Sequence, residues 1–388
     1  MSRLRITLRL AGFAGAAVIL VSPAAVGASP SAMSATGGSP SWKIQNPSSS
    51  VSPSHAELID VSCSAPNACT AVGASAYESQ VLIDRRSGGH WTRQSAPKAS
   101  GILRAVDCRT STACVAVGYQ SGKASLVPLI ESWDGSRWTL QPSPSPKGAR
   151  ESEMRDVACA SSTLCYAVGF WAKPGSSIDE IGPQHALLQR WNGRAWTMEQ
   201  VPQVPGARQV SLHGVACTSA LSCMTVGWYE DTQHRSHPLI ERWTGAGWTV
   251  QPTSLPLAEV QGLLLDVDCV ASGQCVAVGS QIGITLMWNG SRWSSVPAPG
   301  DSLQPDLVGV SCSSARACTA IGHYYTNTRA VSFAARWNGS HWYQQPTPNP
   351  SEHSAELQGV DCPSPTACVA VGYFETRNNL FPLFERYS

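Results

Sequence analysis

The sequence has 388 residues and a formal net charge of +1; 43% of the residues are hydrophobic and 14% are charged. That balance gives no electrostatic reason to expect a nucleic acid or an acidic membrane as partner, and the hydrophobic share argues against a disordered chain. No apolar run is long enough to span a bilayer, so no membrane anchor is expected.

The first element along the chain is a leader. Residues 1–9, MSRLRITLR, are basic, residues 10–21, LAGFAGAAVILV, are apolar, and residues 22–28, SPAAVGA, are small. This order reads as a secretory signal peptide spanning 1–28 and cut after Ala28, which predicts a secreted, extracellular protein. Residues 29–41 are small and polar without periodicity and read as a flexible leader.

From residue 42 to 388 the chain is a repeat. Its fourteen cysteines fall into seven C-x5-C pairs: Cys63–Cys69, Cys108–Cys114, Cys159–Cys165, Cys217–Cys223, Cys269–Cys275, Cys312–Cys318 and Cys362–Cys368. In an exported chain each pair is expected to be a disulfide. Around each runs L-x-x-V-x-C-x5-C-x-A-V-G with small changes, as in LRAVDCRTSTACVAVG and MRDVACASSTLCYAVG. A second block follows downstream, as in PLIESWDGSRWTLQPSP and PLIERWTGAGWTVQPTS.

Each unit reads as four short strands. L-x-x-V-x-C is the first, C-x-A-V-G the second, the PLIERW run the third, and the fourth begins at the next Trp. Val369 and Val371 alternate with Cys368 and Ala370 at a period of two, and W-N-G-x-x-W is a hairpin turn signal. Four-stranded units at a period near fifty residues, without helical periodicity, predict a β-propeller. The seventh unit ends at PLFERYS and lacks its fourth strand, whereas WKIQNPS at Trp42 matches WTLQPSP at Trp138. The expected fold is therefore all-β, a seven-bladed propeller of four-stranded antiparallel blades, with the N-terminal strand closing the ring and one disulfide per blade.

The unit resembles a kelch-type propeller repeat, as AVGYQSGKASLVPLIESWDGSRWTLQPSP shows: a strand ending in glycine, a variable loop, then a Trp opening the outer strand. It departs in having one glycine instead of a pair and in adding the cysteine hairpin. W-[NDT]-G-x-x-W is also similar to the Asp-box of sialidase-type propellers, without the residue between Asp and Gly. The cysteine-containing unit further resembles repeats of secreted actinobacterial proteins. These resemblances imply architecture; both propeller families are functionally mixed.

Seven like cysteine pairs read as structural staples rather than as metal or redox sites, and twelve of fourteen tryptophans occupy two repeat positions and read as packing. No metal or cofactor is expected. Asn289 and Asn338 stand in N-G-S sequons but occupy the turn position. In a four-stranded meander the cysteine turns and the Trp turns share one constant rim. The loops after A-V-G and the linkers between blades share the opposite, variable rim, the candidate binding face.

Aromatic residues follow A-V-G on that rim: Tyr119, Phe170, Trp171, Trp228, Tyr229, Tyr324, Tyr325, Tyr373 and Phe374. Trp171, Trp228, Tyr229, Tyr324, Tyr325 and Phe374, with Arg104, Arg155 and His213 of the first strands, form the candidate ligand-binding set. Asp60, Asp107, Asp156, Asp266, Asp268 and Asp361 also lie on the first strands and are expected to line a hydrated axial channel. No nucleotide loop, H-E-x-x-H or G-x-S-x-G appears, so no catalytic residue is assigned. The reading is a monomeric, non-enzymatic binding or scaffold protein for an extracellular glycan, peptide or surface protein. The alternative is a hydrolase or lyase acting on extracellular glycans through carboxylates and His213 or His323 at the channel mouth.

Overall fold

The computed structural model describes residues 40–45, 55–75, 80–97, 100–122, 125–175, 181–253, 262–271, 273–280, 283–300 and 303–388. The signal peptide expected at 1–28 and the leader expected at 29–41, apart from Pro40 and Ser41, lie outside the described residues.

Seven four-stranded antiparallel sheets follow one another along the chain. Blade one spans Ala56–Arg93, blade two Gly101–Leu140, blade three Glu151–Met198 and blade four Ala207–Val250. Blade five spans Leu264–Ser295, blade six Asp306–Gln345 and blade seven Ala355–Tyr387. The fourth strand of blade seven is Trp42–Ile44, which pairs with the last strand in the register Trp42↔Tyr387, Lys43↔Arg386 and Ile44↔Glu385. The two ends of the repeat thus close the ring, and the exposed edge that blade seven would present is paired.

Each disulfide links the first two strands of its own blade, across a hairpin whose cysteines are six residues apart. The second cysteine faces the first Trp of the third strand, which in turn faces the second Trp on the fourth: Cys114, Trp133 and Trp138 are one such row. The Trp133 indole donates to the carbonyl of Ser111 in the cysteine turn (3.3 Å), which holds the two turns of the constant rim together. Blade one carries Arg86 in place of the first Trp, and its Nη1 donates to the equivalent turn carbonyl, that of Pro66, at 3.0 Å. The second Trp of every blade is buried. Asn338 Oδ1 accepts the backbone N–H groups of Ser340 and His341, and Gly339 follows it with positive φ, as the turn requires.

The apolar core is not central. It is divided among the seven seams between neighbouring blades; between blades one and two, for example, Val72 and Ile83 meet Leu103, Val106, Leu129 and Trp138. A propeller built this way leaves its axis open, which is where the first strands face.

Each first strand carries a bulge at the residue after its leading Leu or Met: Ile59, Arg104, Arg155, His213, Leu265, Val308 and Gln358. The glycine of A-V-G lies across from this point. A Cβ on Gly372 would stand 2.0 Å from the carbonyl oxygen of Glu356, and one on Gly118 1.9 Å from that of Ile102. Only glycine lets the two backbones approach this closely. The bulge turns two consecutive residues toward the axis where a regular strand would offer one.

Candidate functional site at the channel mouth

An innermost strand has one edge with no neighbouring strand, so its amides must find partners in the channel. Aspartates supply them. Asp60 of blade one accepts the N–H of Val106 in blade two (2.8 Å) and that of its own neighbour Val61. Asp156 does the same for Val215 (2.6 Å) and Val157 (2.7 Å), and Asp266 for Val310 and Val267 (both 2.7 Å). Blades one, three and five therefore carry an aspartate that serves two amides, and blades two, four, six and seven carry Ala105, Gly214, Gly309 and Gly359 at the same place. The small residues are required: a Cβ on Gly359 would lie 2.6 Å from the Cα of Asp60.

A second tier lies two residues further on. Ser62 accepts the N–H of Cys108 (3.0 Å), Asp107 that of Cys159 (2.6 Å), and Asp268 those of Cys312 and Cys269 (both 2.7 Å). Ser311 accepts that of Cys362 (3.0 Å), and Asp361 reaches across the closure to Cys63 (2.5 Å). Each such bond between blades points forward, from one blade to the next. At the seam between blades four and five the corresponding residues are Gly214 and Ala216, and among the described residues no side chain bridges the two inner strands in this way.

Enclosure raises these carboxyls. Burial pushes Asp60 up to about 8 and Asp266 and Asp361 to about 7, with neighbouring carboxylates adding to the rise. Asp107 rises to about 6, and Asp156 and Asp268 rise for the same reason. Each keeps one edge toward the channel while the backbone amides around it oppose the rise.

Above this ring lies the mouth, a cavity of about 220 Å³ bordered by Arg104, Arg155, His213, Leu265, Val308 and Gln358, with Asp60, Asp156 and Asp266 as its floor. A deeper chamber of about 270 Å³ continues below, among Asp107, Asp268 and Asp361. The mouth is polar on blades two to four and largely apolar on blades five and six. Arg104 Nε donates to Glu153 Oε1 (2.8 Å), and Arg155 Nη2 lies 3.3 Å from Glu153 Oε2, so one buried carboxylate orients two guanidinium groups. Arg104 also lies over Tyr119 (5.6 Å) and Arg155 over Phe170 (5.3 Å). Trp228 Nε1 donates to His213 Nε2 (3.2 Å), and burial followed by the charges of Arg155 and Arg104 lowers that imidazole to about 3. His213 is thus neutral and held as an acceptor at Nε2, with its proton on Nδ1.

Of the candidate ligand-binding residues, Arg104, Arg155, His213 and Trp228 come together here. The other five do not. Trp171 packs on His185, Tyr229 stacks on His237 and Phe374 on Phe381, each against its own blade. Tyr324 meets Phe333, and the exposed Tyr325 contacts His323 through its hydroxyl (3.2 Å). His323 lies near Glu356 (3.5 Å), between blades six and seven and apart from the arginine pair. Glu153 was not legible as a site residue, since it precedes the repeat motif. In blades two to four the pairing of the bulge residue with the first aromatic after its own glycine had a signal only in the opposed positions of bulge and glycine. Among the described residues no group of three or more His, Cys, Asp or Glu is placed to hold a metal ion.

No family model matches the sequence, and no curated protein matches it. Solved structures do resemble it in fold. One is YCF48 bound to D1 peptide, with a TM-score of 0.54 at 12% identity, covering 89% of this chain and 94% of that one. Another is Trypanosoma rangeli sialidase in complex with the inhibitor DANA, with a TM-score of 0.47 at 11% identity, covering 78% of this chain and 56% of that one. A third is Chaetomium thermophilum Sqt1, with a TM-score of 0.49 at 11% identity, covering 82% and 80%. At these identities the likeness concerns the fold alone, which is that of a β-propeller.

Proposed function

We propose that this is a secreted, monomeric, non-enzymatic binding propeller. On this reading it takes an extracellular peptide or a segment of a surface protein across its variable rim, with one side chain of the ligand entering the channel mouth. The observation that carries the reading is the division of labour at the mouth. The aspartates are committed to backbone amides of the first strands, whereas Arg104, Arg155 and neutral His213 stand oriented at an open cavity with an apolar wall opposite. Such a recess suits a side chain with an apolar stem and an oxygen acceptor at its end. The peptide bound to YCF48, a propeller of similar extent, supports a polypeptide ligand. Stacking of a glycan is supported less, because Trp171, Tyr229 and Phe374 each have a ring face against their own blade.

The test is selection from a peptide display library. The Arg104→Gln/Arg155→Gln double variant is expected to bind selected peptides at least about tenfold more weakly, the equivalent of ~1.4 kcal/mol. Equal enrichment by wild type and double variant would remove this reading. The hydrolase reading draws on the same cavity, where Asp60 and Asp266 sit with His213. It requires one of those carboxyls to act as acid or base, so turnover of an extracellular glycan that Asp266→Asn abolishes would favour it.

A further inference from the structure

On the constant rim, the residue just before the first Trp of the third strand reaches forward over the next blade in blades one, four, five and six. Arg85 of blade one lies over the Trp133 ring of blade two at 4.3 Å and donates from Nη2 to the Ser111 carbonyl at 2.6 Å. Arg336 of blade six repeats this on Tyr387 of blade seven, at 4.2 Å, with Nη2 donating to the Pro365 carbonyl at 2.5 Å. Arg242 of blade four lies over Trp288 of blade five at 5.4 Å. Met287 of blade five packs into the cluster that holds Trp337 of blade six. In blade three the position is Arg190, which pairs with Glu199 of its own blade (3.9 Å), and Tyr166 beside it fills the seam instead, 5.9 Å from Trp243 and 5.2 Å from Trp248.

Between blades two and three the same position is Ser132, which is too short to reach. A cavity of about 180 Å³ stands there, bordered by Ser132, Trp133, Gln141, Cys159 and Trp191 and opening beside the exposed Ser162. Its acceptor is in place: the Trp191 indole bonds the Ser162 carbonyl (3.2 Å) just as Trp133 bonds that of Ser111 (3.3 Å). Gln141 Nε2 donates to the Ser132 hydroxyl (2.8 Å), so these two polar side chains of the wall are engaged with each other. Arg109 of blade two also borders it and donates from Nη1 to the Cys159 carbonyl (3.3 Å), with the Asp107 carboxyl on the Cys159 amide beside it, so the one cation at the wall is held at the Cys159 end and leaves the Ser162 carbonyl to a second donor.

We propose that this cavity is a binding site for the arginine side chain of a partner peptide or protein. The incoming guanidinium lies on the face of Trp191 and donates to the Ser162 carbonyl, completing the seat that the chain fills for itself with Arg85 and Arg336. A planar guanidinium combines stacking with in-plane donation, which neither an ammonium nor an apolar chain does. The site lies on the rim opposite the channel mouth and does not depend on what the mouth binds.

The test is a titration of the intact oxidised protein with N-acetyl-arginine-N-methylamide, and with its citrulline and norleucine counterparts, followed by indole NMR shifts. The Trp191 indole resonance is expected to move with the arginine compound at a concentration about tenfold below that needed for the other two. Ser132→Arg supplies the missing side chain from within, so it should abolish that response and raise the melting temperature. Trp191→Leu, which removes the stacking face and keeps Ser132, should abolish binding as well, read from the Trp133 and Trp196 indole resonances that also border the cavity. Equal responses to the three compounds, no response, or binding retained in Ser132→Arg or Trp191→Leu would overturn the proposal.

Discussion

Asp266 joins two blades with a single side chain, one oxygen on Val267 and the other on Val310. Asp266→Ala uncaps both amides and is expected to cost about 1–3 kcal/mol in denaturant unfolding. Asp266→Asn retains one acceptor oxygen and should cost less. At Gly372 the constraint is steric, so Gly372→Ala must separate the two strands by which the bulge is made. The expected loss is at least that of an overpacked core, about 1–3 kcal/mol, with intact disulfides. The sequence placed all six aspartates on the channel correctly, because their position within the repeat is fixed. It did not disclose that they cap amides. That follows from the alternation of aspartate with Gly or Ala from blade to blade, a pattern visible only once the strands are seen side by side.

At the scale of the hairpin, each disulfide spans only six residues and lies across a registered strand pair. Replacing Cys362 and Cys368 together by serine should therefore cost about 2 kcal/mol, a short-loop value, and leave the other six links unchanged on mass mapping. Strand order, the disulfide pairing and the closing strand Trp42–Ile44 were all legible from spacing, since each depends on a motif repeated in register. The bulge was not. L-x-x-V reads as an ordinary strand with alternating faces, and the turn of Arg104 and Arg155 into the mouth comes from the extra residue opposite glycine. For the same reason the sequence did not separate the rim aromatics: the first residue after the glycine stands beside the bulge residue in blades two to four, whereas Trp171, Tyr229, Tyr324 and Phe374, the second, pack against the seams.

Over the whole ring, titration sets a pH dependence. Burial raises Glu241 and Glu385 to about 8 and Glu131 to about 7, alongside the channel aspartates. Each binds its proton more tightly folded than unfolded, where carboxyls titrate near about 4. Stability is thus lost as pH rises from that value through about 7 to 8, and is kept below it. His213 acts oppositely, but its penalty develops only as pH falls from about 6.5 toward about 3. The melting temperature should accordingly be higher at pH 5.5 than at pH 8.5; an unchanged or inverted order would refute the protonated state of these groups. The seam between blades four and five has apolar packing but no forward aspartate or serine. The Val267 and Cys269 amides of blade five are served instead by Asp266 and Asp268 of their own strand, so what this seam lacks is the tie between blades and not the capping of amides.

The short reach of the disulfides bears on how the protein matures. Fourteen thiols in one chain usually invite mispairing, yet here every cysteine has its partner as its nearest cysteine in sequence. An oxidase that joins consecutive thiols as the chain emerges makes each native link before the next pair arrives, with nothing to reshuffle. Oxidation can then finish while the blades are still separate. What is then left to folding is the pairing most distant in sequence, that of Trp42 with Tyr387, and not the sorting of sulfur.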